Sequence, residues 1–151
     1  MKMLHAGLVW AAAVTSVALG GGAPPKSAKP LSEVLVALET GGLKSVTEIS
    51  FDDGRWEIEG LRDGKPVELY VDPETSKIIK ERPDERHPPV PEGAKSLAVI
   101  CKELEDAGFW PITEAELDVS GWDVETLKNG AKRQLVVDLK SGKILSDQPD
   151  D

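Results

Sequence analysis

Apolar residues recur at helical spacing twice in this chain. Leu31, Val34, Leu35 and Leu38 fall at i, i+3, i+4 and i+7, and Leu97, Ile100, Cys101 and Leu104 do the same. That spacing puts each set on one face of a helix and predicts helices in PLSEVLVALETGG and SLAVICKELEDAG. Pro30 suits a first helical turn, and Gly41-Gly42 supply a left-handed stop. Ser96 is placed to cap the second helix, with Gly108 as its stop.

Behind each helix the period changes to two. Strands are expected over 46–51, 55–62, 67–72 and 78–80, then over 112–117, 121–128, 133–138 and 144–146. Asp63-Gly64 and Asn129-Gly130 separate the second and third strand of each set. Asp-Gly or Asn-Gly between apolar runs is a strong hairpin signal, because both central residues of a tight hairpin turn need positive φ. Trp56, Ile58, Val67, Leu69 and Val71 then share one sheet face, as do Trp122, Val124, Leu135 and Val137. That face is expected to carry the helix. Leu61 and Leu127 break the alternation, which predicts a bulge near Gly60 and Thr126.

The two halves are related in sequence as well as in pattern. RWEIEGLRDGKPVELYVDPETSKI returns without a gap as GWDVETLKNGAKRQLVVDLKSGKI, at a constant offset of 66 residues from Trp56 to Trp122. About 16 of the 51 positions in 31–81 recur in 97–147, enough at a fixed period to read a duplicated unit. The expected fold class is α+β, with two repeated modules, each one helix packed on a small antiparallel sheet of three to four strands. Module 1 spans 30–82 and module 2 spans 96–147. A proline-rich stiff linker, 83–95, joins them, and an acidic tail occupies 148–151. A unit of this size has a thin core, so the two copies are expected to pack on each other or to pair strands.

The N-terminus follows other rules. Lys2 precedes an apolar run from Leu8 to Leu19, followed by small residues. This describes a secretory signal peptide over 1–22 and a short linker over 23–29. The run is shorter than the ~20 residues of a spanning helix, so no stable membrane span is expected after cleavage. The folded part is expected to be exported, periplasmic or secreted. The alternative is an uncleaved N-terminal anchor. A single cysteine excludes an intrachain disulfide and any zinc site built from several thiolates. The net charge is −9, and loss of Lys2 makes it one unit more negative. Such a chain repels phosphate backbones, which argues against nucleic acid and leaves basic proteins, basic peptides and cations.

The order helix, glycine, strand, W-E-I-E, D-G, V-E-L-Y-V-D-P-E-T-S-K-I resembles the PepSY domain family. The first copy aligns Gly42, Glu48, Asp63-Gly64, Val71, Asp72, Thr75 and Lys77 with the family pattern. The second aligns Gly108, Glu114, Asn129-Gly130, Val137, Asp138, Ser141, Gly142 and Lys143. Ser76 stands where the family has glycine, and the helix-end glycine lies one residue further from the glutamate. The resemblance implies an exported, non-catalytic module of the kind found beside peptidase propeptides, with a role in inhibiting or regulating peptidases. Tandem copies are also similar in broad architecture to two-module β-lactamase inhibitor proteins, without their disulfides.

Catalytic chemistry is sparse. His5 lies in the signal segment and His87 in the linker, where nothing packed holds a base against a nucleophile. Cys101 sits on the apolar helix stripe and reads as a buried thiol. Asp72 and Asp138 precede turns, where an aspartate accepts backbone N–H bonds. No cofactor, metal or catalytic set is expected, and the protein reads as no enzyme. Two features remain for binding. Glu48, Ser50, Glu57, Glu59, Glu68 and Tyr70 fall on the outer sheet face of the first copy. Glu114, Glu116, Asp123, Glu125, Gln134 and Val136 do so in the second. The residues singled out for a partner are Glu57, Glu59, Glu68, Tyr70, Asp123 and Glu125, with Trp110 as an aromatic anchor at the helix-to-strand turn. One of Phe109 and Trp110 is expected to enter the core. The other is expected to pack between modules or to face a partner. The function expected is recognition or regulation of a protein or peptidase partner. The alternatives are a structural or self-associating envelope protein and a cation-binding protein using the acidic faces.

Overall fold

The computed structural model describes residues 22–151. The signal segment therefore lies, but for Gly22, outside the described residues. The element order is α1 (Leu31–Thr40), β1 (Leu43–Asp52), β2 (Arg55–Arg62), β3 (Lys65–Val71), β4 (Ile78–Pro83), α2 (Leu97–Asp106), β5 (Phe109–Asp118), β6 (Gly121–Lys128), β7 (Ala131–Val137) and β8 (Ile144–Pro149). All eight strands join one sheet in the order β4-β3-β2-β1-β5-β6-β7-β8. The sheet is antiparallel throughout. The small separate sheets expected from the hairpin pattern are thus replaced by one larger sheet. The cause is pairing between β1 and β5, through Glu48↔Glu116, Ile49↔Ala115 and Ser50↔Glu114.

Helix positions follow the apolar stripes. Leu31, Val34, Leu35 and Leu38 are buried, as are Leu97, Ile100, Cys101 and Leu104. They meet the inner sheet face at Trp56, Ile58, Leu69, Val71, Trp122, Val124, Leu135 and Val137, in a single core. Removing a large aliphatic or aromatic side chain of this kind from water contributes about 1.5–3 kcal/mol. Both tryptophans are buried, at 1% and 2% exposure for Trp56 and Trp122. Phe51 meets Trp56 edge-to-face, with ring centroids 5.1 Å apart.

The two helices start differently. Ser96 caps α2, its side-chain oxygen accepting from Val99 N at 3.3 Å. Pro30 precedes α1 and offers no side-chain cap. Glu105 of α2 supplies one instead. Its carboxylate accepts from the backbone N–H of Ser32 at 3.1 Å and from the Ser32 hydroxyl at 2.5 Å. The positive end of α1 is therefore closed by a negative charge from the other helix.

The first strand of each half starts earlier than expected, at Leu43 and Phe109. Gly42 (φ +102°) and Gly108 (φ +91°) turn the chain directly out of the helix. The extra residues are absorbed by irregular pairing between Lys44 and Glu48 and between Phe109 and Glu114. The bulges expected near Gly60 and Thr126 therefore lie across from them, on β1 and β5, while β2 and β6 pair regularly with β3 and β7. Side-chain volume explains the residue choice. A Cβ on Gly60 would stand 3.0 Å from the Lys44 carbonyl oxygen. At the corresponding place the Thr126 hydroxyl donates to the Pro111 carbonyl at 3.0 Å.

The hairpin turns are as expected, with positive φ at Asp63, Gly64, Asn129 and Gly130. The outer strands run further than the pattern predicted, to Pro83 and Pro149. Proline is tolerated there because these are edge strands, whose outward N–H groups have no ladder partner to lose. Gln148 and Pro149, expected in a tail, belong to β8.

Trp56→Ala or Trp122→Ala should each lower the unfolding free energy by about 3–5 kcal/mol, the usual range for a buried large aromatic. Urea titration followed by far-ultraviolet circular dichroism measures this, and a loss below about 1 kcal/mol would contradict the packing described. Glu105→Ala should cost about 1–2 kcal/mol, as loss of a helix cap does. A cost near zero in the same titration would show that the bond to Ser32 adds nothing.

Candidate functional site

The sheet face opposite the helices is a grid whose columns are strands and whose rows are cross-strand neighbours. Adjacent strands lie ~4.8 Å apart, so side chains in a row touch or nearly touch. One row runs Asp123, Glu116, Glu48, Glu59, Glu68, Arg82, from β6 across β5, β1, β2 and β3 to β4. It holds five consecutive carboxylates before the first cation. The neighbouring row runs Gln134, Glu125, Glu114, Ser50, Glu57, Tyr70, Lys80.

Alternation placed these side chains outward, and period two kept the inner positions for the core. The rows cross both halves only because β1 pairs with β5. Like charges directly opposite each other in a sheet repel. Burial pushes the Glu59 carboxyl up to about 7, with Glu48, Asp84, Glu68 and Glu116 adding to it. Burial pushes Glu114 up to about 7 as well, followed by Glu125, Glu48, Glu116 and Asp123. Glu48 is raised by burial first and then by Glu116. Glu125 is raised by burial and by Asp150 and Asp123, against a lowering by Lys132.

The β4 end of the face is capped by cations. Arg82 bonds Glu68 at 2.5 Å, and Arg55 lies 3.4 Å from Glu57. Tyr70 is buried beneath this group, with the Arg55 guanidinium 4.2 Å, Arg82 5.4 Å and the Lys80 ammonium 5.9 Å from its ring centre. Such positions favour cation–π attraction. Tyr70 is on the face expected for it, but its ring is covered.

The structure brings Glu57, Glu59, Glu68, Asp123 and Glu125 onto one continuous surface, all half-buried. Trp110 stands apart, at the start of β5, 43% exposed, while its neighbour Phe109 is buried in the core beneath Lys128. The expected division of the pair between core and surface therefore holds. Sequence reasoning left Glu48, Glu114 and Glu116 out of the partner-binding set, though it placed them on this face. They are the central members of both rows, and the missing information was the β1–β5 register.

Other sites expected to be structural are so. Asp72 accepts from Glu74 N at 2.9 Å and Thr75 N at 2.8 Å. Asp138 accepts from Lys140 N at 3.1 Å, Ser141 N at 2.7 Å and the Ser141 hydroxyl at 2.8 Å. These backbone donors, Thr75 foremost for Asp72 and Ser141 for Asp138, hold both carboxyls below the ordinary range. Cys101 is buried, and burial raises its thiol well above the usual value. Burial lowers His87. Among the described residues no group of three or more His, Cys, Asp and Glu side chains is arranged to hold a metal ion. None of the described helices is long and apolar enough to cross a membrane. On the opposite layer a groove of about 570 Å³ runs between α1 and α2, with Val36, Ala37, Ala98 and Val99 among its walls.

The chain belongs to the PepSY family, whose peptidase propeptide and YPEB domain model matches residues 3–82. Domains of this family are of the propeptide or regulatory type. A candidate lipoprotein from Clostridium difficile 630 is similar at 11% identity and a TM-score of 0.45, over 80% of this chain and 93% of that one. The YpmB protein from Bacillus subtilis is similar at 20% identity and a TM-score of 0.37, over 81% of this chain and 100% of that one. No curated protein matches the sequence.

Carbon-13 NMR titration of the side-chain carboxyls should separate two classes. Glu59 and Glu114 should titrate at about 7. Asp72 and Asp138 should titrate below the ordinary aspartate range near ~3.9. Titration of Glu59 and Glu114 at ordinary glutamate values would show that the rows are fully solvated.

Proposed function

We propose that the chain is an exported, non-catalytic protein of two PepSY-like copies that binds or regulates a protein partner, a peptidase being the class the family favours. The duplication is supported by the element order, in which a helix followed by four strands occurs twice with matching lengths. One observation carries the binding reading: the uninterrupted row Asp123, Glu116, Glu48, Glu59, Glu68 on an open sheet face. Repulsion within that row works against the fold, and a basic partner would offset it. The partner is therefore a protein or peptide with a basic surface, read by Glu59 and Asp123 of that row and by Glu57 and Glu125 of the next, with Glu57 in loose contact with Arg55. Glu68 is already occupied by Arg82, and Tyr70 is covered. Trp110 is an apolar contact outside the rows.

Self-association finds less support. The open edges β4 and β8 end in Pro83 and Pro149, and each carries an irregularity, at Ile79 and at Leu145. Both devices discourage strand addition. The cation-binding reading lacks a cluster of ligands among the described residues.

The test uses the partner captured by the chain lacking its signal segment, followed by stopped-flow association over a salt series. Charged faces act mainly on encounter rate, and the Debye length falls from ~10 Å at 0.1 M salt to ~3 Å at 1 M. The rate should fall about tenfold or more over that range. Glu57→Lys, Glu59→Lys, Asp123→Lys and Glu125→Lys together should slow it by a similar factor at low salt while the circular dichroism spectrum is kept. A rate indifferent to both changes, but reduced by Trp110→Ala, would move the interface to the β5 turn.

A further inference from the structure

Among the described residues, eight strands form one sheet through a seam that is shorter than any other ladder. β1 and β5 share three residue pairs, against seven for β2 with β3 and seven for β6 with β7. The middle pair, Ile49 and Ala115, points into the core and is fully buried. The two flanking pairs point outward. One sets Glu48 against Glu116, and the other sets Ser50 against Glu114. The strand join between the halves therefore carries an apolar contact on one side and opposed carboxylates on the other.

We infer that the β1–β5 seam is a proton-sensitive joint, tight when Glu48 and Glu114 hold protons and loosened when they ionise. The inference concerns the chain alone and does not depend on any partner.

The surroundings of these groups give no compensation at the seam. Glu48 stands opposite Glu59 on β2 and is also acted on by Glu57 on β2, Glu68 on β3, Glu116 on β5 and Asp84 beyond β4. Glu114 is faced by Glu125 and Asp123 on β6, by Glu116 on its own strand and by Glu48. The cations of this face lie further out. Arg82 is engaged by Glu68 and Arg55 by Glu57, and Lys132 acts on Glu125. Glu59 and Glu114 are raised to about 7 by burial and these neighbours, above the ordinary glutamate value near ~4.3. A carboxyl held above its unfolded value binds its proton more tightly in the folded state. Its ionisation then costs stability, so this contribution is full below the unfolded value near ~4.3 and is lost as pH rises through about 7. Opposite behaviour from Asp72 and Asp138 is confined to more acidic solution, where their lowered carboxyls begin to protonate.

The helix layer limits what loosening can do. α1 and α2 remain joined by the Ser32–Glu105 bonds and by the shared core. The seam thus opens locally at its outer edge and does not separate the halves.

Two measurements on the chain lacking its signal segment test this. Thermal unfolding should show Tm falling by at least about 5 °C between pH ~5 and pH ~8. The double variant Glu48→Gln and Glu114→Gln should raise Tm at pH ~8 and flatten the slope, whereas Glu85→Gln in the linker should leave the slope unchanged. Amide hydrogen exchange, corrected for base catalysis, should show β1 and β5 losing about tenfold more protection over this range than the β2–β3 and β6–β7 hairpins, the effect of one full pKa unit. A flat Tm in the parent chain would overturn the inference. So would an unchanged slope in the Gln variant, or equal loss of protection in seam and hairpins.

Discussion

Three residue pairs between β1 and β5 hold strands β1–β4 and β5–β8 in one sheet. Without them each set of four strands would end at a bare edge beside its helix. With them Ile49 and Ala115 become the buried centre of the protein, and α1 and α2 meet above the same line. Glu105 then reaches from α2 to the start of α1, where Pro30 leaves backbone donors without a cap. The first helix is therefore complete only in the presence of the second half. Joining at the sheet and joining at the helices are separate interactions, one through a strand ladder and one through a charge on a helix end.

The same seam places opposing demands on its two faces. Inside, alternation brings apolar side chains together, and closer contact is better. Outside, the same alternation brings carboxylates into register, and closer contact is worse. Neither half has this conflict at full strength alone, since Glu48 and Glu116 meet only across the seam. The cost is local and electrostatic, whereas the apolar gain is spread over the whole core, so the sheet forms.

Much of this was legible in the sequence because local rules decide it. The stripes Leu31–Leu38 and Leu97–Leu104 define helix faces without reference to the rest of the chain. Asp63-Gly64 and Asn129-Gly130 define hairpins because few other residues accept their φ values. Alternation from Trp56 to Val71 separates inner from outer side chains. The unread part is long-range or volumetric. Nothing in Glu48 or Glu116 announces that they will be neighbours, because strand pairing between the halves depends on which edges are free and how the helices pack. The bulges went to β1 and β5, across from Gly60 and Thr126, because the chain leaves each helix with residues to spare and the partner strand must make room. Tyr70 illustrates the same limit. Its position on the outer face followed from alternation, but the arginines that cover it come from β2 and β4.

Joining the two sets of strands also changes how many unfinished borders the sheet presents. Two separate four-stranded sheets would have four bare margins, and two of them would be β1 and β5, whose apolar Ile49 and Ala115 would invite any extended chain to stick. Fusion hides both of those margins in the middle. The two that remain are β4 and β8, each bent by an irregularity and each ending in proline. A chain built this way keeps the apolar middle of both strands, Ile49 and Ala115, inside the sheet, and leaves at its two ends strands poorly suited to recruit another. For a protein with a row of self-repelling carboxylates down its centre, this is protection against fibril growth that holds even when protons neutralise the charge.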